Sequence, residues 1–336
     1  MNLNVLWFIL IAILYTGFFV LEGFDFGVGM LLPFLGKDDT ERRAIINTIG
    51  PHWDGNEVWL LTAGGALFAA FPPVYASVFS GFYLALVLLL LGLIFRVVAI
   101  EFRNQVQDPG WRRKWDLAFS LGSVLAALLL GVALGNLVRG LPLDESGNYI
   151  GGFFALLNPY SLLVGVTGLA MFATHGALYL VLKTEGELRE RARAWASRAW
   201  IAYLVLFLVS GTWSLIAYQQ GSIVLPLLAG LIALAAIVGI EAFNRAGAGA
   251  KAFMSSAISI AALFGAVGST IFPNLVRASN GASLSLSIFG ASASQNTLTI
   301  ILGVALVGMP VVIGYTIFIY RTFAGPVGSQ DVNGAY

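Results

Sequence analysis

The sequence predicts an all-α integral membrane protein of about nine transmembrane helices. Three observations carry that prediction. The 336 residues are 58% hydrophobic and 10% charged, with a mean hydropathy of +0.86. The apolar residues gather into stretches of membrane-crossing length. The basic residues fall almost wholly on one side of the resulting topology. A soluble domain carries about a quarter of its residues as Asp, Glu, Lys and Arg. The 18 basic and 17 acidic residues here are too few for that, and a bilayer is the natural solvent.

A hydrocarbon core about 30 Å thick needs about 20 apolar residues per helix. Unpaired backbone groups in lipid cost several kcal/mol each, so such segments must be helical. The first span, 5–32, begins in MNLNVLWFILIAILYTGFFVL. That stretch has no basic leader and no small-residue cleavage site, so it reads as a retained span and not a signal peptide. Gly50-Pro51 marks a helix start before the second span, 53–72, and Phe71-Pro72-Pro73 separates it from the third, 75–100. The fourth is 116–138 and the fifth 159–182. Only Gln219-Gln220-Gly221-Ser222 parts the sixth, 199–219, from the seventh, 222–243. The eighth and ninth are 252–272 and 298–321. With two joints this tight, eight spans is the alternative count.

With nine spans, every basic residue except Arg139 and Arg277 lies on one side of the membrane. The positive-inside rule places that side in the cytoplasm. The N-terminus is then outside and the C-terminus, with a tail over 322–336, is cytoplasmic. The whole chain, 1–336, is a single polytopic membrane domain. The longest connections, 138–158 and 273–297, are rich in Gly, Ser and Asn, lie outside, and read as surface loops.

Composition excludes several functions. A net charge of +1 argues against a nucleic-acid partner, and the absence of cysteine rules out disulfides, iron–sulfur clusters and thiolate zinc sites. No Gly-rich phosphate loop, nucleophile elbow or metal-binding helix motif occurs. Haem requires axial ligands such as His or Met. His52 and His175 are the only histidines, too few to house several redox centres. The chain alone reads as a membrane scaffold or a proton or ion conduit.

Ionisable groups in hydrocarbon are expensive and mark function. They concentrate around the inner ends of spans one and two. Glu22 and Asp25 in LEGFDFGVGML are three apart and share a helix face. His52, Asp54, Asn56 and Glu57 follow in GPHWDGNEVW. Two roles compete for Asp54. A carboxylate in a first helical turn is favoured by free N–H groups and the helix dipole. Alternatively, buried carboxylates exchange protons, and a series of them forms a relay. Four acids and a histidine around one helix pair exceed what capping requires, which points to a relay through Asp25 and Asp54 with Glu22, Glu57 and His52 beside it. Elsewhere, Glu101 is expected to pair with Arg96 or Arg103, Glu241 with Arg245, and His175 to hydrogen-bond a neighbouring helix. Trp53 reads as an interfacial anchor. Trp59 reads as a packing residue or as the lining of an apolar gas path.

Several stretches are similar to subunit II of cytochrome bd quinol oxidases. They are GFDFGVGML, the run DDTERRAIINTIGPHWDGNEVWLLTAGGALFAAFPPVYASVFSGFY, and the later RRKWD and LLNPY. The likeness is long over 17–140 and looser beyond Tyr160. It implies an enzyme that oxidises quinol at the outer face and reduces dioxygen to water with cytoplasmic protons. It implies a haem-bearing subunit I as partner, holding two haems b and one haem d, and no haem in this chain. It implies a fold of two four-helix bundles plus one further helix, here 1–140 and 159–321, in a bacterial or archaeal cytoplasmic membrane. A small single-helix accessory subunit and bound membrane lipids or quinone are further partners it admits. By the same resemblance Asp54 and Asp25 match aspartates on or near a proton path at the subunit interface. Trp59 matches a residue beside an oxygen-access route in some members. Glu57 stands where some members carry glutamine. A secondary transporter, the rival class, predicts helices broken at the midplane in both halves. The acids cluster instead on one helix pair.

Overall fold

The computed structural model describes residues 2–327, and all statements below concern those residues. The 322–336 tail expected from the sequence lies outside them from residue 328 onward. They form eleven α-helices. These are α1 Leu3–Leu35, α2 Asp39–Asn47, α3 Trp53–Ala70, α4 Pro72–Gly81, α5 Tyr83–Phe102, α6 Pro109–Arg139, α7 Pro159–Lys183, α8 Gly186–Ala217, α9 Val224–Arg245, α10 Gly249–Ile271 and α11 Gln295–Thr322. Eight of them, all but α2, α3 and α4, are long and apolar enough to cross a membrane. The chain is a multi-pass membrane protein.

Three sequence expectations need correction. The span expected at 75–100 is two helices. Proline at the start of α4 opens a new helix directly after Phe71, and the chain breaks again at Phe82 before α5. The second span, α3, falls short of the eight because its opening turns hold Asp54, Asn56 and Glu57. The outer connections are more than surface loops. Leu141 bridges Ala278, Leu143 bridges Tyr149, and Asn274–Val276 (β1) pairs antiparallel with Leu286–Ser287 (β2). Together they bury Leu141, Leu143, Leu156, Val276 and Ile288 against α1, α3 and α4 as a second apolar core.

Helix α1 organises the molecule, packing on α3, α6 and α7. Its stretch from Glu22 to Leu32 is buried on every side, the pattern of a helix enclosed by others. Close approach requires glycine at two crossings. A Cβ on Gly27 would lie 2.0 Å from the Phe172 carbonyl oxygen of α7, and one on Gly176 would lie 2.5 Å from the Gly27 backbone. A Cβ on Gly122 of α6 would lie 2.5 Å from the Gly92 carbonyl oxygen of α5, one turn before Arg96. Small residues at helix contacts are how membrane helices gain van der Waals packing without a hydrophobic drive.

Candidate functional site

The site lies where α1, α3 and α5 meet. Helix α1 continues to Leu35, so Glu22 and Asp25 lie roughly 20 and 15 Å short of its end at 1.5 Å per residue. Both are fully buried. Their partners come from the facing helices. Arg96 of α5, also fully buried, donates to Glu22 and, at 3.2 Å, to Glu57 of α3. Its guanidinium sits 4.7 Å from the centre of the Phe26 ring, a cation–π contact. Asn56 of α3 donates to Asp25 Oδ2 at 2.8 Å and to the Leu21 carbonyl at 3.3 Å. Glu22 Oε2, Asp25 Oδ1, and Nε and Nη2 of Arg96 are buried without a protein partner.

Burial grades along α3. Asp54 is exposed, the Glu57 side chain is 23% exposed, and Asn56 is buried. Asp54 lies in the first turn and accepts the Gly55 N–H at 2.7 Å. The expected interaction with the helix start is therefore present, and it leaves the carboxylate facing outward. Asp54, Val58, Leu61, Gly65 and Phe68 are exposed at alternating spacings of three and four, a single helix face. Trp59 lies on a different face, half-buried, its ring filling the space above Gly17 of α1. This is the packing role expected of it.

The histidines are engaged by the protein. Tyr179 donates to the Thr48 carbonyl at 2.8 Å, so its oxygen accepts from His52 Nε2 at 2.6 Å. His175 bonds as expected to neighbouring helices. Nε2 donates to the Val20 carbonyl of α1 at 3.0 Å, which leaves Nδ1 to accept from Ser256 Oγ of α10 at 2.6 Å. The ring of Phe253 stacks on it at 4.5 Å. His175 thus has no free nitrogen for a haem iron. His52 keeps Nδ1 buried without a partner, among the rings of Phe24, Tyr179 and Tyr320.

A second ionic cluster lies beyond the end of α5. Arg103 donates to Asp116 of α6 at 2.5 Å and to Asp39 of α2 at 2.8 Å. Arg42 reaches Asp116 at 2.9 Å, and Arg112 reaches Asp39 at 2.7 Å. It clasps α2 over the helix ends. Both arginines expected to pair with Glu101 are taken by other acids, and Glu101 is exposed with no ion pair. The Glu241–Arg245 pair forms as expected, at 2.6 Å. Two site residues escaped the sequence reading. Arg96 stands alone in the apolar run LGLIFRVVAI, a legible signal; Tyr320, which donates to Asn56 Oδ1 at 2.9 Å across 264 positions, left none.

Fold and site together define a polytopic membrane protein with ionisable groups enclosed between its helices. Residues 3–323 match the family described as cytochrome bd terminal oxidase subunit II. The chain is 39% identical to cytochrome bd-I ubiquinol oxidase subunit 2 of Escherichia coli K12, covering 98% of this chain and 96% of that protein. It is likewise 39% identical to cytochrome bd ubiquinol oxidase subunit 2 of Bacillus subtilis, with 98% of each covered. Its fold resembles a chain of the bd oxidase from Geobacillus thermodenitrificans, with a TM-score of 0.79 at 17% identity over 96% of this chain and 99% of that one. The chain belongs to the cytochrome bd oxidase subunit II family, and it is a subunit of a membrane quinol oxidase. The likeness, looser beyond Tyr160 by motif alone, runs nearly end to end.

Proposed function

We propose that this chain supports a haem-bearing subunit I and carries cytoplasmic protons toward the site of oxygen reduction through Asp54, Glu57, Glu22 and Asp25. In this reading the complex oxidises quinol, reduces dioxygen to water and builds a membrane potential, with two haems b and one haem d on subunit I. The scarcity of histidine, with both nitrogens of His175 already bonded, supports placing the haems there. The chain crosses a bacterial or archaeal cytoplasmic membrane nine times, with α3 as one span and α4 with α5 as another. The N-terminus is outside. Helices α1, α3, α5 and α6 make one four-helix group and α7 to α10 the second, with α11 in addition.

The observation that carries the proton route is charge balance in the buried cluster. Glu22 and Glu57 share one guanidinium, Arg96, while Asp25, three residues from Glu22, is bonded by the neutral Asn56 amide and has no ion pair. An uncompensated charge in an apolar interior is costly, so protons must balance what Arg96 does not. Each of Glu22 and Asp25 retains an oxygen without a partner, where a proton can be received and passed on. Asp54 gives the series its entrance. An exposed carboxylate on an otherwise apolar face is costly against lipid, which favours subunit I as the neighbour of that face. His52 sits beside the route, bonded to Tyr179. Trp59 is kept as a candidate wall of an oxygen route.

The test uses the complete oxidase with Asp25→Asn and Asp54→Asn. Each variant is expected to retain complex yield and haem bands. Turnover should fall by roughly tenfold or more for Asp25→Asn, equivalent to about 1.4 kcal/mol of barrier, and by a smaller factor for Asp54→Asn. Wild-type turnover in both would remove the route and leave a scaffold.

A further inference from the structure

Helix α11 is the least embedded of the long helices, and Leu298 is its only buried residue. Few polar contacts tie it to the rest. At its start Gln295 donates to Asn4 Oδ1 at 3.0 Å, and the Trp7 indole donates to the Leu298 carbonyl at 3.0 Å. Near its other end Tyr320, two residues before Thr322, is the tie from within the helix, and just past it Lys183 of α7 donates to the Phe323 carbonyl and, through its own carbonyl, accepts the Val327 N–H. Tyr320 donates through its hydroxyl to Asn56 Oδ1 at 2.9 Å. Its ring meets His52 edge-on at 4.7 Å and lies 6.5 Å from Phe24.

The direction of these bonds is informative. The Asn56 NH2 group points at two acceptors, the Asp25 carboxylate and the Leu21 carbonyl. Its oxygen therefore needs a donor, and Tyr320 supplies it. Asn56 is 1% exposed, so without that hydroxyl its oxygen would be a buried acceptor with nothing to accept. A side-chain amide is nearly symmetric in shape, and only its hydrogen bonds decide which end faces where. Reversed, it would turn an oxygen toward the Asp25 carboxylate.

We propose that Tyr320 is a positioning residue for Asp25. From the loosely packed α11 its hydroxyl satisfies the Asn56 oxygen, and so helps to hold in place the amide whose NH2 group faces the carboxylate. This rests on the proton route proposed above. It adds that the last helix, remote in sequence, sets the geometry at the innermost acid.

The experiment is Tyr320→Phe in the complete oxidase, which removes the hydroxyl and keeps the ring on His52. Losing a hydrogen bond that supports a charged group should lower kcat about five- to tenfold, with the quinol KM, complex yield and haem bands unchanged. Asn56→Ala should lower kcat similarly, and adding Tyr320→Phe to it should have no further effect, because the hydroxyl acts through the amide. Wild-type kcat in Tyr320→Phe, or losses that multiply in the double variant, would overturn the proposal. So would a loss of complex yield in Tyr320→Phe, which would mark the hydroxyl as a docking contact for α11. Asp25→Asn measured in parallel separates the two readings. Slow Asp25→Asn with fast Tyr320→Phe defeats the positioning role alone, whereas fast Asp25→Asn defeats the route itself.

Discussion

Arg96 and Arg103 are among the largest fully enclosed side chains of the molecule, and the difference between their surroundings explains their roles. Arg103 closes a clasp at the helix ends, where Asp116 and Asp39 satisfy it together. Arg96 lies within α5, donates through one nitrogen to two acids, and leaves Nε and Nη2 without a partner. Removing one member of a buried ion pair costs about 3–5 kcal/mol, because the other charge is left alone. Arg96→Met should accordingly reduce the yield of assembled complex severely. Arg96→Met combined with Glu22→Gln should recover part of it, a gain read from purified haem-bearing complex per cell. Equal yields from the single and double variants would mean that the pair carries no such coupling. At this scale the acids were legible in the sequence, since Glu22, Asp25, Asp54 and Glu57 interrupt apolar helices. Their pairing was not. Glu22 and Arg96 are 74 positions apart, and helical spacing says nothing about which face of α5 turns toward α1. The assignment of Glu101 to Arg96 failed for that reason, having relied on nearness in sequence.

The elements hold this geometry by backbone contact. Helices α1 and α7 touch at Gly27 and Gly176, and the buried acids Glu22 and Asp25 lie within about two turns of that contact. A methyl at Gly27 would collide with a carbonyl oxygen, which cannot rotate away as a side chain could. Overpacking of this kind costs about 1–3 kcal/mol. Gly27→Ala is expected to lower the melting temperature of the complex by several degrees, while Gly303→Ala in α11, with nothing within 4 Å, leaves it unchanged. Equal melting temperatures would show that α1 and α7 have room to part. Most long helices were legible from apolar length alone. The break at Phe82 was not, although Ser80-Gly81 stands directly before it, because the apolar run resumes at once in Phe82-Tyr83-Leu84 and a single glycine inside such a run does not by itself end a helix. The outer connections were read as loops because Gly, Ser and Asn dominate them. Leu141, Leu143, Val276 and Ile288 are too scattered to form a period, yet they become fully buried once the two connections meet.

At the scale of the molecule, the ionisable groups form a gradient inward from an exposed aspartate to an enclosed one, on a chain otherwise suited to lipid. The motifs carried family membership, and the full-length match bears it out. What no sequence pattern could supply is that α1, α3, α5 and α11 converge on one buried cluster, because α5 and α11 each contribute a single polar side chain, Arg96 and Tyr320, from a distant part of the chain. The most direct measurement is proton uptake from the cytoplasmic side when the fully reduced complex, in sealed vesicles, meets an oxygen pulse. The account predicts that Asp25→Asn slows uptake at least about tenfold, a barrier increase of about 1.4 kcal/mol, while oxygen still binds the haem at the normal rate. Uptake at the wild-type rate in that variant would contradict it.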